Sequence, residues 1–290
     1  MLTLQNIVIF TLIWGSIYLL ISLGFSVICG VLRIFHMGYA VTFVLAAYLT
    51  WMFFNSMGLP LWVSITLMFI VQFIIAIFIF YKGIFERYLD QEEILLTVSI
   101  LVYMVFMYMA NYFYPVTSGV NLPTTILEGT SQIGLVRVSN QMLAAAGLGV
   151  LTTIVIVLVF LKTRPGLIMR AMSQNVMTAQ LMGADVNRMY YLAMIISVIP
   201  SSVAVLAIAP FWGIDPFMGM SLFITAIVVS ILGGLGNMKG SIIASFLIAF
   251  VHGSVSYLYV SRFMALAGLI VALIILIFRK GGIFVGERLW

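Results

Sequence analysis

Two histidines, one cysteine and eight acidic side chains are all that this 290-residue chain offers for acid–base or metal chemistry. His36 lies in GVLRIFHMGYA, Gly30–Ala40, three residues after Arg33, between two apolar runs too close for an ordinary loop. This is either a tight turn or a helix broken inside the membrane, its backbone lining a polar cavity. An imidazole there can relay a proton, face a translocation path with Tyr39, or hydrogen-bond to backbone at the interface. His252 has no acid near it in the chain, so a helix-to-helix hydrogen bond is the simpler role than a proton relay. Cys29, the single cysteine, permits no disulfide or metal framework and reads as packing. No Asp or Glu sits well inside an apolar run, which argues against a proton-coupled carrier built on His36 and His252 and against a membrane enzyme. The run ILGGLGNMKGS, Ile231–Ser241, resembles a phosphate loop only superficially, because the spacing GxxxxGK[ST] is missing here and elsewhere in the chain. This chain is therefore not expected to hydrolyse ATP itself. Gly233, Gly234, Gly236 and Asn237 suit close helix approach or an unwound half-helix.

The other polar concentration is KTRPGLIMRAMSQNVMTAQLMGADVNR, residues 162–188, which holds four of the thirteen Lys and Arg side chains. Pro165–Gly166 breaks the preceding helix. Met172, Val176, Ala179 and Gly183 then recur at i, i+4, i+7 and i+11, one face of a short helix flanked by Arg170 and Arg188. Spacing alone fits either a docking helix or a polar loop with incidental helix.

The elements that carry these residues follow from composition. With 64% hydrophobic and 7% charged residues, the chain falls far from a soluble globular domain. Long apolar runs without period-2 alternation select transmembrane helices over a barrel. Nine apolar segments lie near 6–30, 38–55, 60–81, 94–112, 141–161, 189–210, 217–234, 241–258 and 263–278. The fold class is thus an all-α polytopic bundle of 8–9 spans, one membrane domain over 1–290 with a cytoplasmic helix-bearing segment. A cytoplasmic C-terminus puts Arg33, Lys82, Arg87, Lys162, Arg164, Arg170, Arg188, Lys239, Arg279, Lys280 and Arg288 inside, and only Arg137 and Arg262 outside. That asymmetry places the N-terminus outside. No Lys or Arg precedes Arg33, so the first span is expected to stay rather than be cleaved as a signal. Among the connections, KGIFERYLDQEE is a solvated cytoplasmic loop. Tyr112–Asn140 is the longest outside segment, punctuated by Pro115, Gly119, Pro123 and Gly129, with IGLVRVSNQ suggesting a short hairpin. Pro200 predicts a kink mid-span, eased by Ser197, Ser201 and Ser202; Asp215 is expected to cap the next helix, with Pro216 at its first position.

Three blocks carry a resemblance. TRPGLIMRAMSQNVMTAQLMGADVNR, WGIDPFMGM and VVSILGGLGNMKGSIIASF come in the order and spacing of the branched-chain amino acid permease family of bacterial ABC importers. WGSIYLLISLGFSVICGVLRI and AAYL agree more loosely. The resemblance implies an inner-membrane, multi-pass permease that pairs with a second permease, two cytoplasmic ATPase subunits and an extracytoplasmic solute-binding protein. It implies no cofactor on this chain, ATP and Mg being held by the partner ATPases. The helix around Ser173–Gly183 becomes the coupling helix that sits in an ATPase groove, with Arg170, Ala171, Gln174, Asn175, Ala179 and Gly183 as its coupling residues. The family pattern R-x-I-N-F-A-H-G reads RIFHMGYA here, with His36 at the Asn, Tyr39 at the His and Ala40 at the Gly; His252 stands where many members carry Glu. The resemblance implies a translocation pathway, with His36, Tyr39, Gly233, Gly234, Gly236, Asn237 and His252 as its candidate residues; the departures gather in these membrane regions, so the expected solute widens to a small polar or amphipathic compound, such as an amino acid or amide. A sugar or nucleoside permease of the same superfamily is the alternative, and a non-transporting membrane scaffold is a further one.

Overall fold

The computed structural model of the protein describes residues 2–89, 91–115, 120, 122, 127–279 and 281–284. Gly119, Pro123, Lys280 and Arg288, which enter the sequence expectations, lie outside the described residues. With no water in a bilayer core to satisfy N–H and C=O groups, apolar runs of this length close their own hydrogen bonds as helices. The order is α1 (Leu2–Val31), α2 (Tyr39–Trp51), α3 (Leu61–Ile75), α4 (Glu92–Phe113), a hairpin of β1 (Thr130–Ile133) and β2 (Val136–Ser139), and α5 (Asn140–Lys162). Then come α6 (Arg164–Gln174), α7 (Val176–Leu181), α8 (Val186–Ile208), α9 (Met218–Gly233), α10 (Met238–Leu258) and α11 (Met264–Phe278). Among the described residues, eight helical spans are long and apolar enough to cross a membrane, and α9 is a shorter apolar helix of 16 residues. These coincide with the nine segments anticipated. At 1.5 Å per residue α9 is roughly 24 Å long, a little short of the ~30 Å hydrocarbon core.

α1 is the axis of the bundle: it packs on α10, α8, α9 and α5, and its residues from Gly15 to Ile28 are buried throughout. α4, α5 and α11 turn most of their apolar side chains outward, as lipid-facing or interface helices do. α3 does not end at Ile75 but widens into a π-helical stretch, Ala76–Phe85, where i→i+5 bonding stacks residues five apart. α8 runs unbroken through Pro200. Ser197, Ser201 and Ser202 donate back to the carbonyls of Met194 and Val198 at 2.7–2.9 Å, so they bind backbone around Pro200 but not through the Ile196 carbonyl that the proline leaves without its N–H. The cap at Asp215 is displaced: its Oδ1 accepts from the Phe217 N–H at 2.7 Å, and α9 starts only at Met218. The turn made by Pro216 is completed before helical geometry begins.

Contacts sort the loops into two ends. At one, Leu135 N–H donates to Gln5 Oε1 and the rings of Trp14 and Trp212 lie 5.9 Å apart. At the other, Arg33 reaches α6, Tyr81 reaches Asn187, and Ile283 N–H donates to Leu232 O at 2.8 Å. The described chain therefore starts at one end of the bundle and finishes at the other.

Candidate coupling surface and interior polar contacts

The polar segment between α5 and α8 builds its shape from three side-chain caps. Thr163 leaves the helical conformation (φ −103°, ψ 154°) and its Oγ1 accepts from Gly166 N–H at 3.2 Å, so the break falls before Pro165, which sits in the first turn of α6. Asn175 is extended (φ −156°, ψ 111°); it ends α6 and caps α7, its Oδ1 accepting from Thr178 N–H at 3.0 Å. The continuous helix expected around Ser173–Gly183 is therefore two helices meeting at a corner. An Asn side chain that satisfies the next turn's orphan N–H competes with helix continuation, which is the physical reason. Gly183 closes α7 at φ +88°, with Gly183 N–H bonded to Gln180 O and Ala184 N–H to Ala179 O, a left-handed termination suited to glycine. Asp185 then caps α8 through Arg188 N–H and pairs with the Arg188 guanidinium at 2.8 Å.

Between α6 and α7 lies an open groove of about 420 Å³. Ala171, Gln174, Asn175, Ala179 and Gly183 all line it, together with Leu167 and Met182. Arg170 does not; its Nε is buried with no hydrogen-bond partner among the described residues. Leu181 and Met182 are more than four-fifths exposed, and Leu167 and Met177 are exposed beside them. Large apolar side chains on a segment this polar form the kind of patch that marks contact with another protein.

The candidate pathway residues are dispersed. His36 sits in the α1–α2 break, 1% exposed, with the rings of Phe80 and Phe85 edge-on at 4.8 and 4.7 Å. The π-helical stacking of α3 is what brings both rings to it. Its Nδ1 has no hydrogen-bond partner among the described residues, and burial lowers the imidazole from its ordinary value to about 3. Tyr39 is fully buried and donates to Ile21 O at 3.1 Å, tying α2 to α1. Gly233 and Gly240 let the start of α10 press on the end of α9: a methyl group on Gly240 would overlap the Gly233 carbonyl oxygen. Gly234 and Gly236 make the intervening turn with positive φ, Gly236 lying against Gly30 of α1. Asn237 caps α10, accepting from Gly240 N–H at 3.0 Å. His252 Nδ1 lies 2.9 Å from Tyr18 Oη, the helix-to-helix hydrogen bond expected of it. These residues do not converge on one site. The two histidines belong to separate clusters, His36 against α3 and His252 against α1.

Several contacts have no counterpart among the sequence expectations. Arg33 adopts φ +58°, the one non-glycine residue with positive φ among those described, and its guanidinium donates to Ser173 O at 2.7 Å and to Gln174 O. Tyr81 Oη donates to Asn187 Oδ1 at 3.1 Å. Gln72, buried in α3, donates to Thr42 O and accepts from Ser202 Oγ. Ser26 joins Ser230 and Ser241 at 3.0 and 2.8 Å, a hydroxyl seam between α1, α9 and α10. Polar residues isolated in apolar runs are the signal that the sequence offers for these, and their partners lie too far along the chain for spacing to reveal.

Comparison with known proteins adds to this geometry. The high-affinity branched-chain amino acid transport system permease protein LivH of Salmonella typhimurium is 22% identical over 251 residues, covering 81% of this chain and 80% of its own length. LivH of Escherichia coli K12 is 20% identical over 261 residues, with the same coverage. Among solved structures, PsaBC from Streptococcus pneumoniae in complex with Fab aligns over 99% of this chain and 92% of that one, at 16% identity and a TM-score of 0.49. The family described as branched-chain amino acid transport system / permease component matches residues 7–278. A match running from the first turns of α1 to the end of α11 leaves no element of the bundle outside it, and the chain belongs to that family of transport permeases.

Proposed function

We propose that this permease is the membrane subunit of an importer that moves a small polar or amphipathic solute, such as an amino acid or amide, by alternating access. Separate ATPase subunits supply the energy, each holding its own ATP and Mg. The α6–α7 groove carries the proposal: a pocket of about 420 Å³ lined by exposed Leu167 and Met182, with Met177 and Leu181 exposed on the same short helix α7, is a seat for a partner's side chains. Five of the six residues assigned to coupling line that groove, and Asn175 and Gly183 fix its shape through their caps. A second permease and an extracytoplasmic binding protein complete the expected assembly, with the groove on the cytoplasmic side and the N-terminus outside. Branched-chain solutes are what the relatives' names state for the relatives; the altered α1–α2 break, with His36 between Phe80 and Phe85, supports a broader solute class here.

The test fills the groove without straining backbone. Ala171 is an exposed interior position of α6, so Ala171→Trp keeps helical geometry while occupying the cleft. Affinity-tagged wild-type permease, co-expressed with its partner ATPases, is expected to retain them, and the Trp variant to lose about tenfold or more in retention, the cost of one misfitted hot spot. Wild-type retention and uptake in the variant would refute the docking role. Competition of labelled-solute uptake by amino acids, amides and sugars then settles the solute class.

A further inference from the structure

We infer that Arg33 is a positioning residue for energy coupling, the tie through which movement of the α6–α7 segment reaches the α1–α2 break; this rests on the docking function proposed above. The observations are independent of the groove. The last carbonyls of a helix carry partial negative charge and favour a cationic donor. In α6 two of these, Ser173 O and Gln174 O, are both met by one Arg33 nitrogen. Residues 173 and 174 adjoin the Asn175 corner, so Arg33 grips the segment where its two helices join. Its backbone is held at φ +58°, a conformation disfavoured for a residue with a Cβ. This left-handed residue terminates α1 two positions after Val31, and it is the pair of contacts to Ser173 O and Gln174 O that marks the side chain as more than a solubilising surface arginine.

What lies on the other side of Arg33 gives the tie a destination. Three residues on, His36 is clamped by Phe80 and Phe85 of α3. The neighbouring Tyr81 bonds to Asn187, in the first turn of α8 at the far end of the same segment. The segment is thus linked at one side to the α1–α2 break and at the other to the helix that encloses it. A cavity of about 170 Å³ adjoins Arg33, lined also by Cys29, Phe35, Glu92 and Leu235, so the guanidinium has room to follow or release α6. Two discrete arrangements of a packed junction are what transmission between distant sites requires.

The experiment uses the complete transporter in proteoliposomes and reads ATP hydrolysed per solute transported. Arg33→Gly removes the guanidinium while placing at φ +58° the residue that best tolerates it, so loss of function by misfolding of the break is avoided. The variant is expected to keep its ATPase subunits and to hydrolyse ATP, with uptake per ATP falling about tenfold, the lower end for contacts made by a charged donor. Arg33→Lys, which keeps a cationic donor on a long stem, is expected to recover part of that loss. Unchanged uptake per ATP in Arg33→Gly, with ATPases bound, overturns the inference and leaves the docking function standing. Failure of wild-type permease to retain an ATPase overturns both.

Discussion

His36 shows how far the role of one side chain depends on what encloses it. Burial between Phe80 and Phe85 disfavours the imidazolium and lowers its pKa to about 3, against an unfolded value near 6.5. As pH falls through ~6.5 the unfolded chain takes up a proton that the folded one refuses, so the stabilisation present above that pH is lost progressively on the way down to about 3. Between pH 7 and pH 5 this single group is expected to cost about 2 kcal/mol. The difference in thermal midpoint between those pH values, measured in detergent, should be smaller in His36→Asn than in the wild type; an identical difference would mean that His36 does not carry the effect. The presence of His36 and Arg33 in a short break between apolar runs was legible in the sequence. That Arg33 adopts a left-handed conformation and caps α6 was not, because a positive φ in a residue other than glycine leaves no compositional mark and its acceptors are 140 and 141 positions away.

Elements meet most tightly where α9 turns into α10. A methyl group at Gly240 would overlap the Gly233 carbonyl oxygen, a clash that only backbone movement can relieve. Gly240→Ala is expected to destabilise the bundle by roughly 3 kcal/mol or more, at the upper end of overpacking in a filled core. Gly147, inside α5, is the control, because a methyl group added there would meet nothing within 4 Å: Gly147→Ala should be neutral or stabilise by up to about 1 kcal/mol. Thermal denaturation of both purified variants decides this, and equal behaviour would show that the close approach is not a constraint. The four glycines of this run were visible as a place of close approach or unwinding, and the structure realises the first. That the segment after α5 holds helix was visible, but the single face read through Met172, Val176, Ala179 and Gly183 is divided between α6, α7 and the turn that follows. The division at Asn175 was not visible, since Asn is merely a weak helix former until its side chain finds the N–H of Thr178.

For the whole molecule, the spans were the most legible feature, because lipid forces every apolar run of sufficient length into the same conformation. How they pack was much less so. α1, α2 and α8 are mostly buried whereas α4, α5 and α11 are mostly exposed, yet all are apolar around their circumference, so hydrophobicity could not rank them. The proposed orientation has a direct check. In a Cys29→Ser background, a cysteine at Thr178 is expected to react with a membrane-impermeant thiol reagent only from the cytoplasm, and one at Gln132, exposed in β1, only from outside. The reverse pattern would invert the bundle and remove the groove from reach of any ATPase. The corner at Asn175 has a mechanical consequence. A blunt helix end resting on a neighbour transmits compression alone, since withdrawing the neighbour simply parts the two surfaces. Two short rods meeting at an angle, with an inserted side chain between them, resist withdrawal as well as thrust. On the proposed function, the return stroke of the cycle is then driven as actively as the power stroke, and the permease is hauled back rather than left to relax.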